Sequence, residues 1–211
     1  MRLTVLGATG RTGRHLVRQA LDAGHHVTAV VRDPARLDPA DHPLLEAVTA
    51  DPLDPAALAP AVDGRDAVLS ALGPNNRADG TVCADGARSA VKAMRAVGVG
   101  RLVVVSASGP FIDDGDGPFT RVVFKPLLRR LFLDTPFTDL ENAEREIRAS
   151  GLDWTLVRPP RLTEGKPRPY RTVLDRNVRG GTTLSRADLA TAVLNALADP
   201  ATVHHHVSVG Y

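Results

Sequence analysis

Three glycines near the start of the chain, Gly7, Gly10 and Gly13, have a spacing that suits phosphate binding. They directly follow the apolar run 3–6, typical of a buried strand, and an amphipathic run begins immediately after them. In such a turn backbone amides approach a diphosphate closely, and the N-terminus of the new helix points its dipole at the negative charge. The pattern predicts a dinucleotide site rather than a turn that serves only packing. The loop residues expected to contact the cofactor are Gly7, Thr9, Gly10, Arg11, Thr12 and Gly13.

A basic and an acidic residue follow the second predicted strand, 27–31. An acid that binds ribose normally stands about 20 residues past the glycine loop, and here that position is occupied by Arg32 and Asp33. A guanidinium at Arg32 can pair bidentately with a 2′-phosphate, and Arg11 adds positive charge beside it. The sequence therefore favours NADP(H) over NAD(H). Two alternatives stay open: Asp33 could reach a ribose hydroxyl, or Arg32 could be a solvated surface residue.

Further candidate cofactor contacts follow the third and fourth predicted strands. Asp51 stands where a carboxylate could accept from the adenine amino group, although it could equally cap the following turn. Leu53 belongs to the same turn. Leu72 and Gly73 suit a tight passage of the backbone along the cofactor, and plain turn formation is equally compatible with them.

Two serines follow the fifth predicted strand, next to the expected position of the nicotinamide. The hydroxyl of Ser108 could hydrogen-bond a substrate carbonyl and stabilise charge as hydride arrives, or it could bond to its own backbone. We expect Ser108 to be the catalytic residue and Ser106 a cofactor contact. Pro159, after the sixth strand, would hold backbone against the nicotinamide carboxamide, unless it only stiffens the chain.

These residues must be positioned by an alternation of strands and helices. The predicted strands are 3–6, 27–31, 46–50, 67–71, 102–105, 154–157 and 203–209, and the predicted helices are 11–23, 55–61, 82–97, 139–150 and one from Ser185. The alternation indicates an α/β fold: a Rossmann-like, doubly wound, mostly parallel sheet with helices on both faces, forming one domain over residues 1–211. The segments 109–138 and 159–181 interrupt it after strand ends, so we place the substrate site there.

Composition excludes several other classes of protein. The 211 residues carry a net charge of +2, and no basic stripe with interleaved aromatic residues indicates nucleic-acid binding. No apolar run is long enough to span a membrane. One cysteine, Cys83, is compatible with a reducing cytosol. We therefore expect a cytoplasmic monomer or homodimer with a small-molecule substrate and no nucleic-acid or membrane partner. No metal is expected, because histidines 204–206 read as a solvated strand face.

Three stretches together resemble a known family over nearly the whole chain. They are the loop Gly-Ala-Thr-Gly-Arg-Thr-Gly at 7–13, Val-Arg-Asp-Pro at 31–34 and Ser-Gly-Leu-Asp-Trp-Thr-Leu-Val-Arg-Pro at 150–159. The chain is similar to the atypical short-chain dehydrogenase/reductases, in particular the NAD(P)H-binding group with biliverdin reductase B (flavin reductase) and the NmrA-like proteins. The resemblance implies a sheet of seven to eight strands, reduced nicotinamide as cofactor and a small planar substrate. It also assigns the diphosphate to the glycine loop, the 2′-phosphate to Arg32 and the active-site serine position to Ser108.

One departure from that family affects the chemistry. Ordinary short-chain dehydrogenases use Tyr-x-x-x-Lys as a proton donor, and the matching positions here are Pro136 and Leu140. A proton would come from solvent or from weak candidates, namely Asp113, Asp114, Asp139 and Glu144. A flavin, quinone or conjugated carbonyl accepts hydride without a dedicated acid, so the sequence favours an NADPH-dependent reductase. The alternatives are a non-catalytic NmrA-like redox sensor and, less favoured, an epimerase or isomerase.

Overall fold

The computed structural model describes residues 1–38, 41–74, 80–112 and 134–211, with the backbone alone for residues 134 and 135. The strands are β1 (Arg2–Leu6), β2 (His26–Val31), β3 (Leu45–Thr49), β4 (Ala67–Ser70), β5 (Arg101–Val105), β6 (Asp153–Arg158), β7 (Arg161–Thr163), β8 (Arg171–Leu174), β9 (Thr183–Ser185) and β10 (His205–Gly210). The helices are α1 (Arg11–Asp22), α2 (Pro55–Val62), α3 (Val82–Val97), α4 (Asp134–Arg148) and α5 (Arg186–Ala198).

Eight strands form one sheet in the order β3-β2-β1-β4-β5-β6-β10-β8. Its pairs are parallel except for β8, which runs antiparallel to β10 at the edge. A separate pair joins β7 to β9. The predicted α/β fold, a doubly wound and mostly parallel sheet of seven to eight strands, is confirmed.

Both faces of the sheet are covered, which explains why its central strands are apolar without alternation. Alternate side chains of β1 face opposite layers: Leu3 and Val5 pack with α1 and α5, whereas Leu6 packs with α2, α3 and α4. Thr4 points to the second layer as well, and its buried hydroxyl donates to the carbonyl of Ala61 at 2.6 Å. The two layers fix the register of the strands and hence the position of every loop at their carboxyl ends.

The direction of strand progression reverses beside β1. The chain runs from β1 outward to β2 and β3, then returns to β4 on the other side of β1. The loops that leave β1 and β4 therefore diverge, and a crevice opens between them at the carboxyl edge of the sheet. This crevice is where an open parallel sheet binds its ligand.

Three local expectations are wrong. The segment 159–181, in which no strand was predicted, contains β7 and β8, which are too short to show an apolar period. Helix α4 begins at residue 134, five residues before the predicted start, because its first turn lacks the apolar periodicity of the rest. The histidine triplet is not a solvated strand face. His204 precedes β10 at a φ of 63°, and His206 is buried.

Candidate functional site

A cleft of about 310 Å³ lies at the carboxyl ends of β1 and β4. It is lined by Gly7, Thr9, Gly10, Val30, Val31, Arg32, Asp51, Pro52, Leu53, Ala71, Leu72, Gly73, Thr81, Val82 and Asp85. Eight of the predicted contact residues therefore share one cleft, namely Gly7, Thr9, Gly10, Arg32, Asp51, Leu53, Leu72 and Gly73. They come from four separate loops, which only the crossover of the sheet brings together.

The glycine loop is too tightly packed to hold side chains. Gly7 has a φ of 75°, and a Cβ there would lie 2.7 Å from the carbonyl oxygen of Ala71 on the neighbouring strand end. A Cβ on Gly13 would lie 2.0 Å from the carbonyl oxygen of Gly7. The missing side chains let α1 start directly against the turn, so the residue that precedes the helix, Gly10, lies at the cleft.

The N-terminus of α1 has no side-chain cap and no acidic residue in its first turn. Two other helices, α2 and α5, are capped by a side chain of their own. Asp54 accepts from the amide of Ala56 at the start of α2, and Ser185 accepts from Asp188 at the start of α5. The first-turn amides of a helix have no acceptor within the helix. Those of α1 are thus left for an anion, and this fits a cofactor diphosphate.

The rim of the cleft near β2 is basic. Arg32 lines the cleft and is exposed. The neighbouring Asp33 is not among the residues that line the cleft; its carboxylate accepts from the amide of Ala35 at 3.1 Å and begins the short 3-10 turn Pro34–Arg36. Among the charged groups at this strand end, Arg32 is the one that faces the cleft.

The opposite wall combines a carboxylate with apolar side chains. Asp51 lines the cleft, and one of its two carboxylate oxygens accepts from the amide of Leu53 at 3.0 Å and so caps the turn. Leu72 lies against α3 at Gly86, where a Cβ would be 2.7 Å from Cδ1 of Leu72. Leu53 and Leu72 give this wall an apolar surface suited to a base or ribose.

The contribution of α3 to the cleft was not predicted. Thr81, Val82 and Asp85, at and just before its start, line the cleft. The signal was available, since the helix after the fourth strand returns across the carboxyl edge in a doubly wound sheet. The amides of Cys83 and Ala84 are each held by the carboxylate of Asp139 at 2.9 Å, so the start of α3 is capped from α4 and offers no competing anion site.

Six predicted site residues lie outside the lining of this cleft. Thr12 and Gly13 belong to the first turn of α1, and the side chain of Arg11 pairs with Glu164. Ser106 is buried, and its hydroxyl donates to Glu144 at 2.6 Å. The remaining two lie together past the ends of β5 and β6, where the amide of Ser108 donates to the carbonyl of Pro159 at 2.9 Å.

A buried ion pair lies beneath Ser106 and was not anticipated. The carboxylate of Glu144 on α4 accepts two hydrogen bonds from Arg158, from Nε to Oε1 at 2.9 Å and from Nη2 to Oε2 at 2.5 Å. Both side chains are almost fully buried. The guanidinium of Arg158 lies 3.6 Å from the ring centroid of Phe111, a cation–π contact. This network fixes the first residues after β5, where the predicted serines are.

Helix α4 carries no proton donor at the Tyr-Lys positions. Pro136 is exposed, and Leu140 packs against the core. Of the weak candidates, Asp139 and Glu144 are engaged as acceptors of backbone amides or of Arg158. Asp113 and Asp114 lie outside the described residues.

Two further groups have perturbed pKa values. Burial, together with the nearby charge of Asp139, raises the pKa of the Cys83 thiol to about 12. Burial and the charge of Arg158 lower the pKa of His206 to about 4, against an opposing effect of Asp175. Within the described residues, His, Cys, Asp and Glu side chains form no group of three that could hold a metal ion.

The sequence profile of an NAD(P)H-binding family matches residues 7–200, which span the glycine loop, the cleft and the sheet. The chain belongs to this NAD(P)H-binding family. The match confirms the predicted resemblance to an atypical short-chain dehydrogenase/reductase-like, NAD(P)-binding protein. NAD(P)H is the cofactor class of the family, and the uncapped helix start and the glycine loop fit it.

Relatives of this NAD(P)H-binding chain cover it almost completely. An uncharacterised Bacillus subtilis protein, YwnB, is 27% identical over 95% of this chain and 93% of its own length. A Rossmann-fold NAD(P)-binding family protein from Shigella flexneri is 25% identical with a TM-score of 0.75, over 99% of this chain and 92% of its own. A short-chain dehydrogenase/reductase from Veillonella parvula in complex with NADP has a TM-score of 0.83 at 20% identity, over 100% of this chain and 94% of its own.

In the described part of the chain, the helices are too short or too polar to cross a membrane.

Proposed function

We propose that this chain is an NADPH-dependent reductase that transfers hydride to a small planar acceptor, such as a flavin, a quinone or a conjugated carbonyl, without a Tyr-Lys pair. The observation that carries the proposal is the cofactor cleft, which Arg32 lines while the carboxylate of Asp33 does not. A guanidinium in this position suits a 2′-phosphate, which NADH lacks. The NADP complex of the Veillonella protein, which has the same fold, is consistent with this assignment.

Different residues of the chain bind different parts of the cofactor. The amides at the start of α1 hold the diphosphate, Arg32 holds the 2′-phosphate, and Asp51 accepts from the adenine. The reduced nicotinamide, when bound, supplies the hydride. Ser108, whose amide is fixed on Pro159, orients the acceptor carbonyl beside it. Pro136 and Leu140 offer no proton, so the proton that balances hydride transfer comes from solvent or from a carboxyl group such as that of Asp113 or Asp114.

A second candidate, a non-catalytic NADP(H) sensor, is favoured by the same lack of a proton donor on α4. A sensor binds oxidised and reduced cofactor with different consequences for a partner and consumes neither. In both cases we expect a cytoplasmic monomer or homodimer that binds no nucleic acid or membrane.

Cofactor binding and turnover test the proposal in sequence. Calorimetric titration should give tighter binding of NADPH than of NADH. Arg32→Ala should weaken NADPH binding by about 10- to 100-fold, the value of a charge-assisted bond, and leave NADH binding unchanged. Arg36→Ala, in the adjacent exposed turn, is the matched control for local charge. NADPH consumption with FMN and a panel of quinones and conjugated carbonyls then separates the candidates, because binding without consumption refutes the reductase and favours the sensor.

A further inference from the structure

One carboxylate oxygen connects the glycine loop to the segment after β7. Oε1 of Glu164 accepts from Nη2 of Arg11 at 2.5 Å and from Nη1 of Arg186 at 2.7 Å. Arg11 is the first residue of α1 and Arg186 the first residue of α5. Glu164 therefore joins both helix starts to the stretch in which we expect the acceptor site.

The two arginines are held unequally. The side chain of Arg186 is 14% exposed and that of Arg11 is 70% exposed. An exposed ion pair contributes little, a factor of about two to five in an equilibrium constant. The contact with Arg11 is therefore the weaker one, and Arg11 can leave while Glu164 stays with Arg186.

A cofactor phosphate is a stronger partner for Arg11 than Glu164 is. Arg11 directly follows Gly10, which lines the cleft, and two guanidinium groups on one carboxylate leave a net charge of about +1 at this edge. The diphosphate of the cofactor carries two negative charges where the carboxylate carries one, and its oxygens accept bidentate bonds from arginine. The swap exchanges a screened surface pair for a contact with a more highly charged group beside the first turn of α1.

We propose that Glu164 competes with the cofactor for Arg11: it holds the Arg11 side chain until a cofactor phosphate replaces it. The inference deepens the proposed function, on whose cofactor site it rests, and requires no hydride transfer. Because Glu164 belongs to the acceptor-side segment, cofactor binding releases one link between that segment and the glycine loop. Occupation of the cofactor cleft is thereby coupled to the freedom of the segment that follows β7.

A double-mutant cycle on cofactor affinity tests this role. Glu164→Gln removes the competing charge, so NADPH and NADH should both bind about two- to fivefold more tightly. Arg11→Gln should weaken both by about tenfold or more, since both cofactors carry the diphosphate. In the Arg11→Gln background, Glu164→Gln should have no effect, because the group that it restrains is gone. The gain should shrink in high salt, as expected for an exposed pair.

The matched control is Asp38→Asn. Asp38 pairs at 3.2 Å with Arg18, which is on α1 as Arg11 is. Both side chains of this pair are more than half exposed, and neither residue lines the cleft. Its removal should leave cofactor affinity unchanged. Weaker or equal binding by Glu164→Gln, or a gain that persists without Arg11, overturns the role of Glu164. A wild-type chain that binds NADPH but reduces no acceptor refutes the reductase alone and leaves this result interpretable.

Discussion

Removing the buried carboxylate of Glu144 should be one of the most destabilising single changes in this protein. Arg158, only 6% exposed in its side chain, would keep its charge with no counter-ion, and the hydroxyl of Ser106 would lose its acceptor. Breaking a buried ion pair from one side costs about 3–5 kcal/mol. For a chain of this size each kcal/mol lowers Tm by about 2–4 °C. Glu144→Ala should therefore lower Tm by roughly 10 °C.

The control separates the value of the pair from the cost of leaving one charge unpaired. Removing both charges in Glu144→Leu/Arg158→Met should recover most of the loss, because neither charge then needs desolvation. Urea denaturation, with its midpoint and slope, measures both variants. A loss below about 1 kcal/mol in Glu144→Ala, or a double variant less stable than the single one, would refute the argument that an unpaired buried Arg158 dominates.

Three other expectations concern single positions. Gly13→Ala places a Cβ 2.0 Å from the carbonyl oxygen of Gly7, so calorimetry should find that NADPH binding is lost. The control is Gly24→Ala at the other end of α1, where a Cβ would have no atom within 4 Å. It should lower the free energy of unfolding by about 1 kcal/mol, because Gly24 has a φ of 77°, and should leave NADPH affinity unchanged. His206 has a folded-state pKa of about 4 against an ordinary value of 6.5, so its contribution to stability is present above pH 6.5 and lost as pH falls towards 4. Urea midpoints at several pH values should fall across this window for the wild type and less for His206→Asn. Cys83, whose pKa is raised to about 12, should resist a thiol reagent at pH 8 in the folded chain and react fully in urea; rapid native reaction would contradict its burial.

Local patterns were sufficient for the framework of the fold. The predicted helix 82–97 coincides with α3, and the glycine loop lies between β1 and α1, because hydrophobic period and turn chemistry are properties of adjacent residues. The position of Arg32 on the rim also followed from counting along a doubly wound sheet. What failed were elements whose own sequence is too short or too polar to have a period, such as β7 and β8.

The amino-acid sequence by itself determined the cofactor loop, the order of the elements and the lack of a Tyr-Lys pair on α4. Only the tertiary structure decided which side chains face the cleft and which serve one another. Asp139 caps α3 by accepting from the amide of Cys83, 56 residues earlier, and Glu164 reaches Arg11 across 153 residues. The partner of a carboxylate cannot be read from its position in the sequence, because its role depends on which donor the folded sheet brings within about 3 Å. That distance is set by the packing of whole layers, and no local window of the sequence contains it.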